Sequence, residues 1–306
     1  MKKIALSITI PLCILIFSEI GYSQGFYFGR NKVQYTEFNW HILKTEHFDI
    51  YYYPEMKDIA EKGAKFAEDS YDFLQTKFNH TVNRRIPLIF YSSHLHFQQT
   101  NVTPGFIPEG VGGFFEFLKG RVVIPSNGNI NHFRKVIRHE LVHVFMHSKV
   151  ARIMKDHGRF NSAIYPPLWY VEGLAEFWSS TWDSQAEMVI KDAVLQNYMV
   201  SLENMWTIQG TFMMYKAGQN IMEYIASNFG EEKVLLLMEN LWKHKTFQDC
   251  FIETIGMSYR EFDHQWLYDL QKEYYPSLAD NDLSSRVSET IVRDGYNFKP
   301  AFYREK

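Results

Sequence analysis

The order of strand-like and helix-like segments along this chain restricts its fold more than any other feature of the sequence. Short β-type segments rich in Val, Ile, Phe and Tyr come first, at residues 39–53, 86–91 and 110–125. One amphipathic helix, at residues 58–79, lies among them. From residue 131 onward the apolar spacing is helical, at 131–150, 168–182, 185–200, 212–229, 231–244 and 258–274. This order predicts an α+β domain with an N-terminal mixed sheet and a helical second half.

Turn and capping residues predict several boundaries of these elements. Gly120 falls where a hairpin-like pair of strands within residues 110–125 would turn. Asp58 with Glu61, and Ser258 with Glu261, have the spacing of a capping box at a helix start. Gly230 fits a helix stop between two of the C-terminal helices.

The motif that carries chemistry is His139-Glu140-Leu141-Val142-His143. Residues four apart lie on the same face of a helix, so His139 and His143 can bind one zinc ion together. Glu140 lies beside that position and can accept a proton from an attacking water. An ordinary amphipathic helix with solvated His and Glu is the alternative. Against this alternative, the core-facing stripe of the helix is a separate one, so both His are free to point into a site. That stripe consists of Ile137, Leu141, Val144 and Phe145.

A zinc site of this kind needs a third protein ligand. The metzincin arrangement is excluded, because Lys149 occupies the position of its third His and Met146 that of its Gly. His147 lies on the same helical stripe, but it would be about 12 Å along the axis from His139, too far to share one ion. His157 could reach the site from a loop and remains an alternative.

The better candidate for the third ligand is Glu172, within residues 168–182. A carboxylate on this second helix could face the His pair, and Gly173 would allow a close approach. Glu176 lies one turn later on the same face and could accept a hydrogen bond from the outer nitrogen of a ligand His. The helix is predicted to be buried because it carries many large apolar side chains, namely Leu168, Trp169, Val171, Leu174, Phe177 and Trp178. Unpaired carboxylates are costly in such a place.

The H-E-x-x-H motif followed by E-G-x-A-E on a second helix resembles the gluzincin, or thermolysin-like, metallopeptidases over residues 85–275. The resemblance implies a zincin-like fold and a Zn2+ cofactor held by His139, His143 and Glu172. It also implies Glu140 as general base and Glu176 as the carboxylate behind a ligand His. The 28 residues between His143 and Glu172 exceed the number in thermolysin itself, so the shape of the substrate cleft is left open.

The resemblance implies two further elements of a peptidase site. Thermolysin-like enzymes have an edge strand that pairs with an extended substrate, and Gly112, Gly113 and Phe114 lie in the corresponding place. A side chain that donates a hydrogen bond to the transition state is expected later in the sequence than the third ligand, and Tyr215 is the candidate. The sequence around Tyr215 resembles the Tyr-x-x-Gly helix of related bacterial peptidases, although a packing role for this Tyr is equally open.

The first 23 residues have the pattern of a secretory signal peptide cleaved after Ser23. Lys2 and Lys3 precede an apolar run at residues 4–17, and small residues, Gly21 and Ser23, follow it. The run is shorter than the ~20 residues of a membrane span, although an uncleaved anchor is the alternative. We therefore expect an exported, periplasmic or extracellular protein with no transmembrane span after signal removal.

Beyond the signal peptide, the chain divides into two predicted parts. Residues 24–275 form the zincin-like metallopeptidase domain. Residues 276–306 form a polar linker, whose last stretch, 295–306, resembles the start of a Tol-type β-propeller repeat. That resemblance implies partners among the proteins of the bacterial envelope.

Composition narrows the functions further. The formal net charge is −3 and there is no basic block, which argues against nucleic-acid binding. The leading hypothesis is a zinc metallopeptidase acting on peptide or protein substrates. The alternatives are a non-catalytic, zinc-stabilised interaction module of the envelope and a zinc hydrolase of a non-peptide amide or ester.

Overall fold

A computed structural model describes residues 32–158 and 165–279, together with positions 281, 288, 289 and 291. The predicted signal peptide at residues 1–23 and the propeller-like stretch at 295–306 lie outside this part of the chain, and both stay predictions. The helices of the described residues include none with the length and apolar character needed to cross a membrane.

Five strands form one mixed sheet. They are β1 (His41–Lys44), β2 (Phe48–Tyr52), β3 (Ile86–Tyr91), β4 (Phe114–Glu116) and β5 (Arg121–Pro125). The spatial order is β1-β2-β3-β5-β4, in which β2, β3 and β5 are parallel and both outer strands are antiparallel to their neighbours. The predicted mixed sheet is therefore confirmed, and β4 lies at one of its edges.

The described helices are α1 (Lys57–Phe78), α2 (His94–Phe97), α3 (Ile130–Asp156), α4 (Leu168–Ser179), α5 (Ser184–Leu195), α6 (Phe212–Phe229), α7 (Glu231–Glu239), α8 (Phe247–Ile255) and α9 (Tyr259–Tyr274). The first two lie among the strands, and from α3 onward the described elements are all helical, as predicted. Short 3₁₀ segments occur at Pro54–Met56, Leu202–Ile208, Leu241–Lys243 and Tyr275–Leu278. The α+β class with strands leading and helices following is confirmed.

Aromatic contacts join the sheet, α1 and α3 into one core. The ring of Phe145 on α3 lies 5.0 Å from that of Tyr71 and 5.7 Å from that of Phe78, both on α1. At the other end of α3, the ring of Phe133 lies 4.9 Å from that of Phe90 on β3. All five side chains are buried. These contacts fix α3 against the sheet along one side, which leaves its other side for the helical half.

The predicted capping boxes have different outcomes. Ser258 and Glu261 form one at the start of α9, since the backbone N–H of Glu261 donates to Ser258 Oγ and that of Ser258 donates to Glu261 Oε2. The prediction of a capping box at Asp58 and Glu61 is wrong. The 3₁₀ turn at Pro54–Met56 leads directly into α1, so the cap position falls on Met56, which has no side-chain cap bond.

Several helix ends differ from the predictions. The zinc-motif helix α3 extends to Asp156 rather than residue 150, and α4 ends at Ser179, because the backbone of Ser180 is extended. Helix α8 was not predicted. Its signals are the Thr246 side chain, which accepts a hydrogen bond from the backbone N–H of Asp249, and Gly256 in a left-handed conformation at its end.

Candidate functional site

Helix α3 has two distinct faces, and the sequence pattern identifies both. The predicted core stripe of Ile137, Leu141, Val144 and Phe145 is buried. His139 and His143 lie together away from that stripe, with ring centroids 5.0 Å apart and with partial exposure. This separation confirms the prediction that neither imidazole is needed for core packing.

Helix α4 brings Glu172 to this pair of imidazoles. Glu172 Oε2 lies 3.3 Å from His139 Nε2 and 3.4 Å from His143 Nε2. One ligand atom from each of the three residues lies within 4.8 Å of the others, and no other such group occurs among the residues that the structure describes. The three side chains are therefore placed to bind one metal ion.

The geometry of this donor set fits a divalent metal. Bonds of ~2.0–2.1 Å at a tetrahedral angle put two donor atoms roughly 3.3–3.4 Å apart, as zinc sites require. Glu172 Oε2 is buried and makes no hydrogen bond of normal geometry. A buried carboxylate oxygen without a partner is costly, and a cation facing it would remove that cost. Two imidazoles and one carboxylate are also ligand types that zinc accepts.

Glu176 lies behind His139, where the sequence predicted it. Its Oε1 atom lies 3.1 Å from His139 Nδ1, and its Oε2 atom lies 2.5 Å from Lys216 Nζ on α6. A hydrogen bond donated by Nδ1 to Glu176 fixes the tautomer of His139, which leaves Nε2 as the atom that faces Glu172.

Charge within the site shifts three pKa values strongly. Burial by itself would raise the pKa of both Glu172 and Glu176, but the adjacent imidazoles of His139 and His143 lower the pKa of Glu172 to about 2, and His139 with Lys216 lowers that of Glu176 to about 2. Burial acts against the protonated form of His139, yet the carboxylates raise its pKa to about 10. A metal ion needs the lone pair of Nε2, so metal binding and protonation of that nitrogen would compete.

Glu140 lines the same cleft as the His pair, on the part of α3 that faces the edge of the sheet. Only 6% of its surface is exposed, and burial raises its pKa while the charges of His139 and His143 lower it. Its carboxylate accepts a hydrogen bond from the backbone N–H of Phe115 on β4. Glu140 is thus held between the metal-binding face and strand β4 without belonging to the three donors.

The predicted edge segment runs past Glu140. Phe114 belongs to β4 and pairs with Val123, whereas Gly112 and Gly113 precede the strand. A side chain at Gly113 would lie 3.0 Å from Val136 Cγ1 and 3.3 Å from Glu140 Cγ. Glycine at this position is what lets the segment pass so close to α3.

A cleft of about 710 Å³ opens over His139, Glu140, His143 and Glu172. Most of its remaining wall is apolar or aromatic, and consists of Val111, Phe114, Phe115, Phe117, Tyr165, Leu168, Val171 and Tyr215, with Gly113 and His147. His147 packs in this wall against the ring of Phe115 at 5.6 Å. Leu168 was predicted to be buried, but 36% of its surface is exposed, because it faces the cleft.

His157, the alternative third ligand, lies elsewhere. Its ring stacks on Trp242 with 3.5 Å between centroids and 3° between planes. It is not part of the group around His139 and His143. The structure therefore favours Glu172 over His157.

Comparison with known proteins agrees with this geometry. Residues 74–272 match the Peptidase MA superfamily, a superfamily of metallopeptidases. The chain belongs to the Peptidase MA superfamily. An uncharacterized protein of Treponema pallidum (strain Nichols) is 23% identical over an alignment of 237 residues, which covers 72% of this chain and 21% of that protein. The chain thus spans about a fifth of the length of this curated relative.

Membership of the Peptidase MA superfamily identifies residues 74–272 as a peptidase-like domain. Tyr215 lies in the cleft of this peptidase-like domain, with its ring 6.3 Å from that of His139. Burial and the nearby carboxylates, Glu172 first, raise the pKa of Tyr215 well above its usual value, so its phenol keeps its proton. The structure brings Tyr215 to the site, and its role stays a prediction.

The close helix approach expected at Gly173 involves α6 rather than the zinc-motif helix. A Cβ atom on Gly173 would lie 2.5 Å from the carbonyl carbon of Gly218, and one on Gly218 would lie 2.4 Å from the Trp169 oxygen. This contact corrects the prediction that Gly173 serves the approach of α4 to the His pair. It brings Tyr215 and Lys216 to the site, and Lys216 was missed from the sequence.

Proposed function

We propose that this chain is a gluzincin-type zinc metallopeptidase that hydrolyses peptide bonds with Glu140 as general base. His139, His143 and Glu172 would hold the zinc ion. The observation that carries the proposal is the convergence of three donor atoms on one wall of a cleft, with a buried carboxylate beside them that is not a donor.

A zinc ion bound there would polarise the scissile carbonyl and make a water molecule more acidic. Glu140 accepts the proton that this water loses as its oxygen attacks the carbonyl carbon. The same carboxylic acid then gives the proton to the nitrogen of the leaving amine as the C–N bond breaks. The backbone N–H of Phe115 holds the Glu140 carboxylate in place between these two transfers.

The remaining residues of the cleft bind and orient the substrate. Tyr215 keeps its proton and can donate a hydrogen bond to the carbonyl oxygen as negative charge develops there. Glu176 holds the orientation of His139 from behind. The edge of the sheet at Gly112, Gly113 and Phe114 pairs with the extended backbone of the peptide.

We further propose that the protein is exported to the periplasm or the cell exterior after cleavage of residues 1–23. In this proposal residues 24–275 are the catalytic domain. Residues 276–306 would be a linker and the start of a propeller repeat that contacts envelope proteins. These assignments rest on the sequence patterns of the two ends of the chain.

Elemental analysis and a peptide-library digestion test the enzymatic proposal together. The wild-type chain should bind one zinc ion and cleave peptides in a chelator-sensitive way. Glu140→Gln should keep the zinc ion, because Glu140 is not one of the donors, and should lower turnover by at least about 10²–10⁴-fold, the usual contribution of a general base. Glu61→Gln on the exposed face of α1 is the matched control and should change neither property.

Each alternative gives a different result in the same assays. Retained turnover in Glu140→Gln would remove Glu140 from its role, and a wild-type chain without zinc would end the proposal. Zinc binding with no cleavage of any substrate would identify the non-catalytic interaction module. Cleavage of a simple ester or non-peptide amide alone would identify the third hypothesis.

A further inference from the structure

Lys216 is a buried cation that the proposed reaction does not use. It lies on α6 beside Tyr215, and only 4% of its surface is exposed. Its Nζ atom lies 2.5 Å from Glu176 Oε2 and 3.2 Å from Gln219 Oε1. Burying an ammonium group is costly unless it is paired and hydrogen-bonded, so the position of Lys216 depends on Glu176.

The two oxygens of Glu176 have separate partners. Oε1 faces His139 Nδ1 at 3.1 Å, while Oε2 accepts from Lys216 and also, at 3.3 Å, from Ser180 Oγ. Of these two donors to Oε2, Lys216 is the closer one and carries the positive charge. By holding that oxygen it determines that Oε1 is the one presented to the imidazole.

We propose that Lys216 is a positioning residue of the metal centre, which acts through Glu176 to hold the His139 imidazole with Nε2 facing the metal position. The inference rests on the proposed function, because it takes His139 as a zinc ligand. It extends the contact between His139 and Glu176 to Lys216, so that the three residues connect α3, α4 and α6 around the site.

Orientation and charge predict opposite effects when Lys216 is removed. The ammonium charge repels a divalent cation, so charge alone predicts tighter zinc binding without it. Loss of orientation predicts weaker binding, because the carboxylate behind His139 then keeps only Ser180 on its second oxygen. Loss of a partner behind a metal ligand typically costs about 10–100-fold in metal affinity. We expect weaker binding, and the sign of the change distinguishes the two effects.

The test is zinc affinity, measured by competition with a chromophoric chelator on the purified full chain. Lys216→Met should weaken zinc binding about 10–100-fold. Lys216→Gln, which is also neutral but keeps an N–H donor, should lose less. In a Glu176→Gln background, Lys216→Met should cause no further loss, since its path to His139 is already broken.

Lys149 supplies the matched control. It is equally buried, is paired with Glu239, and donates to the backbone oxygen of Phe78, away from the His pair. Lys149→Met should therefore lower the stability of the fold and leave zinc affinity unchanged. Circular dichroism of each zinc-free variant checks that it folds. If Lys216→Met does not fold, the zinc affinity of Lys216→Gln is compared instead between the wild-type and the Glu176→Gln backgrounds.

Unchanged or tighter zinc binding in Lys216→Met would overturn the inference. An equal loss of zinc affinity on Lys216→Met in the wild-type and in the Glu176→Gln backgrounds would also overturn it, because Lys216 would then act without Glu176. A wild-type chain that binds zinc and cleaves peptides while Lys216→Met binds zinc normally would refute this inference alone. A wild-type chain that binds no zinc would refute the proposed function as well.

Discussion

Replacement of Gly218 by Ala tests how α6 is placed against the site. The added Cβ would lie 2.4 Å from the oxygen of Trp169 and 2.9 Å from the Cα of Gly173. Both neighbours are backbone atoms of α4, which cannot rotate away as a side chain can. An ordinary van der Waals contact begins at 3.4 Å, so α6 must move by about 1 Å relative to α4.

Two effects on stability oppose each other in this variant. Replacing Gly by Ala inside a helix should stabilise it by ~0.8–1.0 kcal/mol. Overpacking of a close contact typically costs ~1–3 kcal/mol, and the rigid backbone places this contact near the upper end. The expected net result is a loss of about 2 kcal/mol in the free energy of unfolding.

The same shift should reduce catalysis by more than stability alone explains. It moves Tyr215 and Lys216 relative to Glu172 and Glu176, and a displacement of about 1 Å at an active site can cost roughly 10²-fold in rate. Urea unfolding of the zinc-free chain and peptide cleavage by the zinc-loaded chain measure the two effects on the same preparation.

Three further variants complete this experiment. Ser227→Ala, on the exposed side of α6, gains helix propensity without a clash and should be neutral or slightly stabilising. Gly173→Ala should resemble Gly218→Ala. The double variant should lose less than the sum of the two, because one separation of the helices relieves both clashes. A Gly218→Ala chain at least as stable as wild type would refute the reasoning, since the clash would then cost no more than the gain in helix propensity.

The remaining predictions concern metal, pH and the edge segment. Zinc at 100 times its Kd should stabilise the wild-type chain by about 2.7 kcal/mol, seen as a higher Tm than with chelator, and His143→Ala should lose this difference. Burial raises the pKa of Asp263 to about 6, above the unfolded value, so its contribution to stability is full below pH 3.8 and declines as pH rises to 6. Asp263→Asn can still accept from the backbone N–H of Leu202. It should therefore be more stable than wild type in urea at pH 7.5 but not below pH 4. Gly113→Ala should lower kcat through its contact with Glu140 while zinc content stays at one per chain, and normal kcat would contradict the close packing of that segment.

The sequence by itself determined the features that depend on local periodicity. Spacing of four residues puts His139 and His143 on one helix face, and the apolar stripe on α3 decides which face is buried. The order of strands and helices likewise follows from local patterns, which is why the α+β class was predictable. Glu172 was predictable because a carboxylate inside an apolar helix requires a partner.

Only the tertiary structure decided how the helices meet around the site. Lys216 lies 40 residues beyond Glu176 in sequence, and no periodicity links the two positions. A signal existed in the charge of Lys216 within an otherwise buried helix face, but it does not name the partner. The same holds for Gly173, whose close neighbour proved to be Gly218 on α6. Such contacts depend on how distant segments pack together, which local sequence patterns do not encode.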